Sequence, residues 1–143
     1  MKTLYAILIL FSFLAGSYAY ANDQLVVVVN KNNPIEKMNK SEVIDLFMGK
    51  YVAFPNGEKA TPVEMEGENL TKQAFYEQLV GMSLSRINAY WSRIRFSGRT
   101  RSSIQQNNED DLMVYINNTE SAIGYIPRSK VTDDVKVVFE LNE

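Results

Sequence analysis

The chain has 143 residues, with 15 Lys and Arg against 17 Asp and Glu, and neither His nor Cys. That composition excludes a Ser-His-Asp triad, a cysteine nucleophile, a disulfide framework, and the usual structural zinc and facial-triad iron sites. A net charge of −2 gives no footing for nucleic acid, and 45% hydrophobic with 22% charged residues is the balance of one ordinary folded domain.

In chain order, Lys2 supplies a positive start, and Leu4 to Gly16 is an apolar run interrupted only by Ser12. Ala19-Tyr20-Ala21 then places small residues at both positions that a signal peptidase reads. This layout predicts a cleaved secretory signal peptide over residues 1–21, because the apolar run is shorter than the ~20 residues a spanning helix needs. Residues 22–143 are expected to form a single domain, not embedded in a membrane. Without Cys there is no thiol for a lipid anchor, so a periplasmic or secreted product is expected.

Leu25 to Val29 is an unbroken β-branched run, the pattern of a strand buried on both faces of a helix-covered sheet. Asn39 with Glu42 three residues on predicts a capping box, opening a short helix with Val43, Ile44, Phe47 and Met48 on its apolar side and Gly49 as its stop. Tyr51 to Phe54, the Pro55-Asn56-Gly57 turn and Thr61 to Met65 read as a hairpin-like excursion. A helix is predicted from about Asn69 to Val80, with Leu70, Ala74, Phe75 and Leu79 inward and Gly81 ending it. Ser83 caps the next, which carries Leu84, Ile87, Tyr90, Trp91 and Ile94 as a core-facing stripe. Asn108 caps a further helix whose Glu109, Asp110 and Asp111 suit the positive end of its dipole. Ala122 to Ile126 and Val135 to Leu141 are closing strands. Strands at both ends with helices between them predict an α/β fold with a small central mixed sheet flanked by helices.

The densest polar signal is RINAYWSRIRFSGRTR, Arg86 to Arg101, with five arginines and no acidic residue. Its end, Ser97, Gly98, Arg99, Thr100 and Arg101, combines guanidinium forks, hydroxyls and a flexible glycine, the groups that hold phosphate or carboxylate oxygens. A second candidate is the start of the helix at Asn69 and Thr71, where unpaired amides favour an anion. Glu66 and Glu68 oppose one there, and simple capping is the alternative role. Glu64, Glu66 and Glu68 alternate, as a metal or acid/base site would require, but surface acids are the default expectation. No metal, cofactor or catalytic residue is expected, and the chain reads as a non-enzyme.

Met38 to Lys50 (MNKSEVIDLFMGK) is similar to the "lt.eel..IF.GK" segment of phosphate-type periplasmic substrate-binding proteins, and Ser121 to Ile126 to their "pGAIGYv" strand. Glu66 to Val80 resembles their "egSGT...F...L" stretch, with Thr71 the residue that carries over from Ser-Gly-Thr. Tyr90-Trp91 to Arg99 resembles the "YW...FTGR" segment of short exported relatives, which are often named phosphate ABC transporter substrate-binding protein. The resemblance implies one lobe of the type II periplasmic-binding-protein fold. It also implies capture of phosphate or a related oxyanion, with an inner-membrane ABC transporter or a sensor protein as partner. The alternative expectation is an interaction or sensory-accessory domain that keeps this fold without high-affinity ligand binding.

Overall fold

A computed structural model describes residues 23–99 and 103–142. The expected signal peptide, residues 1–21, lies outside the described residues, as do Thr100 and Arg101. Five strands and four α-helices follow in order among those described: β1 (Leu25–Asn30), α1 (Lys40–Phe47), β2 (Thr61–Met65), α2 (Leu70–Val80), α3 (Leu84–Phe96), β3 (Ile104–Gln106), α4 (Glu109–Asn118), β4 (Ala122–Pro127) and β5 (Val135–Glu140). They build the expected α/β fold, one open sheet of order β3-β2-β4-β1-β5. The strand β1 is antiparallel to β4 and β5, while β2 is parallel to β3 and β4.

Every residue of β1 is buried, as its unbroken apolar run requires. Its period of two sends Leu25, Val27 and Val29 into the larger core beneath α1, α2 and α3, and Val26 and Val28 into a smaller one beneath α4. Each such side chain taken fully out of water contributes about 1.5–3 kcal/mol before the entropy of ordering it. At the far end of β1, the buried Asn30 donates from Nδ2 to the carbonyls of Ile116 at 2.8 Å and Asn117 at 3.0 Å. These are carbonyls of the last turn of α4, which the helix cannot satisfy itself.

Local signals set the helix boundaries where they were expected. The capping box at Asn39 and Glu42 is formed in both directions, and Asn69, Ser83 and Asn108 each accept a hydrogen bond from the backbone three residues on. Gly81 ends α2 in the left-handed conformation. Gly49 also has positive φ, 71°, and a Cβ there would lie 2.7 Å from Cη2 of Trp91, so α3 presses directly on the end of α1.

Three expectations are corrected. The excursion before β2 closes only an isolated Ala53–Lys59 bridge, and Thr61–Met65 is an inner parallel strand between β3 and β4. The short strand β3 lies within what the sequence presents as a polar loop. Leu70 is 83% exposed, because the buried side of α2 is Lys72, Phe75, Tyr76 and Leu79; at ~100° per residue, Leu70 falls opposite it.

Candidate functional site

The buried face of α2 contains a lysine. Lys72 is only 7% exposed, and among the described residues its ammonium has one long hydrogen bond, 3.4 Å to the carbonyl of Gly67. Among the described residues no carboxylate reaches ion-pair distance of it. Burial lowers its pKa below the usual lysine value, and Glu68 opposes that shift. An ammonium has three donors, so most of its capacity points into the space beside it.

That space is a hollow of about 570 Å³ between the start of α2, the outer half of α3 and β3. From α3 come Asn88, Ser92 and Arg95, at i, i+4 and i+7, with Trp91 as the apolar wall. Trp91 is the anchor that turns this polar row toward the hollow, since its own side chain is buried in the core. From β3 come Ser103 and Gln105. Glu68 stands at the rim and accepts from Asn88 Nδ2 at 3.2 Å, while Arg95 reaches Ser92 Oγ at 3.5 Å.

Next to Gln105 in the sheet lies a buried polar cluster. Glu64, fully buried on β2, pairs in register with Gln105 of β3. Its Oε1 accepts from the hydroxyls of Tyr76 at 2.6 Å and Tyr125 at 3.1 Å. The Tyr125 ring stacks on Phe75 with centroids 3.7 Å apart and planes 7° from parallel. Burial first, then the neighbouring Tyr125, pushes the Tyr76 hydroxyl pKa well above its ordinary value. Glu64 therefore departs from the surface-acid expectation. Glu66 and Glu68 lie past the end of β2 and are exposed, so the three do not form one acidic face.

The expected anion-site residues are dispersed. Asn69 uses its side-chain oxygen to cap α2, accepting from Lys72 N at 2.8 Å, and borders a separate hollow with Ser83 and Leu84. Thr71 opens on another side, into about 340 Å³ shared with Asp23, Gln78 and Pro127. Ser97 is the C-cap of α3 and donates from Oγ to Ile94 O at 2.7 Å. Gly98, with φ 80°, and Arg99 follow, both exposed. The two expected segments do converge, but through Lys72 and Arg95. Lys72 was legible in one respect: it shares the 3.6-residue stripe of Tyr76 and Leu79, which a charge-blind count of α2 would mark as inward.

Three solved structures share this architecture. A Clostridium perfringens protein assigned as a phosphate ABC transporter substrate-binding protein, solved with bound phosphate, superposes with a TM-score of 0.65 at 23% identity. The match covers 80% of this chain and 44% of that one. An ABC-type phosphate transport receptor from Vibrio cholerae gives 0.63 at 17% identity, over 80% and 45% of the two chains. A protein of Planctomyces limnophilus assigned as phosphate-binding gives 0.55 at 19%, over 80% and 40%. The likeness is one of fold. The chain spans less than half the length of each of these structures, and no family model or curated protein matches it. Among the described residues no helix is long and apolar enough to cross a membrane.

Proposed function

We propose that this chain is an exported, periplasmic domain of the substrate-binding-protein kind, which binds phosphate or a related oxyanion in connection with uptake. In this reading residues 1–21 are a signal peptide, residues 22–143 are the mature domain, and the chain itself performs no catalysis. The observation that carries the reading is Lys72, a lysine only 7% exposed whose ammonium makes, among the described residues, one long backbone contact, and which lines a hollow that also receives Arg95. Desolvating a cation without a partner is costly, and an incoming anion offsets that cost. The likeness to a structure that holds phosphate adds support from fold. Lys72 and Arg95 are the proposed anion-binding groups; Asn69 and Thr71 border other hollows and are left out of this site, and the segment Ser97, Gly98, Arg99, Thr100 and Arg101, next in sequence after Arg95, is proposed to add hydroxyls and guanidinium groups. An ABC transporter or a sensor protein is the proposed recipient.

Isothermal calorimetry with phosphate, sulfate and small carboxylates tests this. Heat that saturates with at least one of them is expected, and no heat at millimolar ligand overturns the reading. A second reading, an interaction domain without ligand, is favoured by Leu70 and Phe96, apolar side chains that are 83% and 97% exposed. A stable protein partner captured from periplasmic extract, together with silence toward every anion, selects it.

A further inference from the structure

We propose that the outward face of α3 docks on an anionic phospholipid surface, with Phe96 entering between the headgroups and the arginines around it meeting their phosphates. Arg86, Arg93, Phe96 and Arg99 do not line the Lys72 hollow, so the proposal stands whether or not that hollow takes an oxyanion. The helix buries Leu84, Ile87 and Trp91. At ~100° per residue, Ser85, Ala89 and Phe96 then fall within about 40° of one another on the outward side, with Arg86 and Arg93 alongside. All five are exposed, and Phe96 is the extreme at 97%. Arg99 follows the helix past Gly98 and is exposed as well. Because Ser85 and Ala89 are small, the Phe96 ring is the one large apolar group standing off this face.

Charge decides what covers it. From Leu84 to Arg99 the chain carries four arginines, Arg86, Arg93, Arg95 and Arg99, and no acidic residue, although its net charge is −2. Elsewhere Lys31, Lys50, Arg128, Lys130 and Lys136 each pair with a carboxylate, whereas among the described residues none of these four arginines makes an ion pair. A second copy does not fit: an antiparallel α3 pair that seats Phe96 on Ser85 sets arginine against arginine with no carboxylate between them. A protein interface keeps charge away from its centre and surrounds its aromatic anchors with further apolar surface. Here a single phenyl ring stands among guanidinium groups. A bilayer surface asks for no socket and no fixed partner geometry. Guanidinium forks match phosphate oxygens bidentately, mobile headgroups move to meet them, and the ring sits at the acyl boundary below. The cations are spread along the helix, with Arg86 about 15 Å from Phe96 along the axis, which suits many headgroups rather than one ligand.

The test is co-sedimentation of the chain, produced by export, with vesicles of phosphatidylcholine alone or with about one-third phosphatidylglycerol. The neutral vesicles measure what the apolar stretch from Leu4 to Gly16 adds if it is retained. Binding to the anionic vesicles is expected to be at least tenfold tighter at ~50 mM salt, and to fall toward the neutral value at ~500 mM, where screening cuts the reach of each charge to about 4 Å. Arg86→Gln and Arg93→Gln should each weaken anionic binding about fivefold, and Phe96→Ser about tenfold. Leu70→Ser removes another exposed apolar side chain, from α2, and should leave binding unchanged. Equal partition into neutral and anionic vesicles overturns the proposal. So does undiminished binding in the double variant Arg86→Gln, Arg93→Gln, or a loss in Leu70→Ser as large as that in Phe96→Ser. Silence toward both vesicles overturns it too. Joined to a dimer in sedimentation velocity that Phe96→Ser dissolves, that silence gives the face to a second copy; joined to capture of polyglutamate, it gives the face to an acidic protein.

Discussion

The hydroxyl of Tyr76 on α2 donates to the carboxylate of Glu64 on β2 across 2.6 Å, with both side chains fully buried. This bond ties the helix that carries Lys72 to the strand that pairs with Gln105, two residues of the hollow's lining. Tyr76→Phe removes the donor and leaves a buried carboxylate with less compensation, a loss of about 1–3 kcal/mol. Urea unfolding at neutral pH measures it, and a change below 0.5 kcal/mol would refute the structural weight given to this pair.

The same tyrosine sets an alkaline limit. Its folded pKa is raised above the ordinary value of 10.0, so above that pH the native state holds a proton that the unfolded chain has released. Its contribution is complete below pH about 10 and is lost as pH rises through the folded value. Unfolding followed from pH 8 to 11 should show stability falling at the alkaline end, with a shallower fall in Tyr76→Phe.

Lys72 has the opposite sign. Its folded pKa is lowered, so between that value and the ordinary 10.5 the unfolded chain binds more protons and stability rises with pH. Lys72→Met, which keeps most of the side chain and removes the desolvated charge, should stabilise the ligand-free protein by about 0.5–2 kcal/mol while abolishing anion binding. A melt and a titration on one sample test both halves.

Gly49 and Trp91 should tolerate no intrusion. Gly49→Ala combines a positive φ with a Cβ 2.7 Å from the indole, and is expected to cost about 1–3 kcal/mol. Thermal unfolding against Gly57→Ala, whose added Cβ meets nothing within 4 Å, separates crowding from backbone strain.

Leu70 provides the control. Leu70→Ser replaces an 83% exposed side chain and should shift stability by no more than about 0.5 kcal/mol, whereas Phe75→Ala in the buried row should lose about 3–5 kcal/mol.

Much of this molecule is written locally. The caps at Asn39, Asn69, Ser83 and Asn108 depend on atoms three residues apart, and each is formed as its spacing predicts. The two-sided burial of β1 follows from a run of valines that only a helix-covered sheet can hide. Side chains at strand and helix periods therefore expose the α/β class and most element positions without any knowledge of neighbours. Leu70 defeats that pattern because an apolar side chain stands on the outward side of α2, and Lys72 defeats it conversely, a charged side chain on the inward side.

What spacing could not supply was which segments meet. Placing Thr61–Met65 between β3 and β4 requires pairing with residues near Ala122 and Ile104, far along the chain. That pairing is what buries Glu64, closes Tyr76 and Tyr125 on its carboxylate, and sets Gln105 beside it. The arginine-rich stretch and the start of α2 were visible as separate charged features. Their meeting through Lys72 and Arg95 depends on α3 crossing α2 with Trp91 wedged against Gly49. The length, charge and absence of His and Cys thus delimit the chemistry open to the chain. The hollow beside Lys72 exists because long-range packing brings a buried lysine and an arginine from two helices to one side of a sheet, a proximity no local pattern encodes.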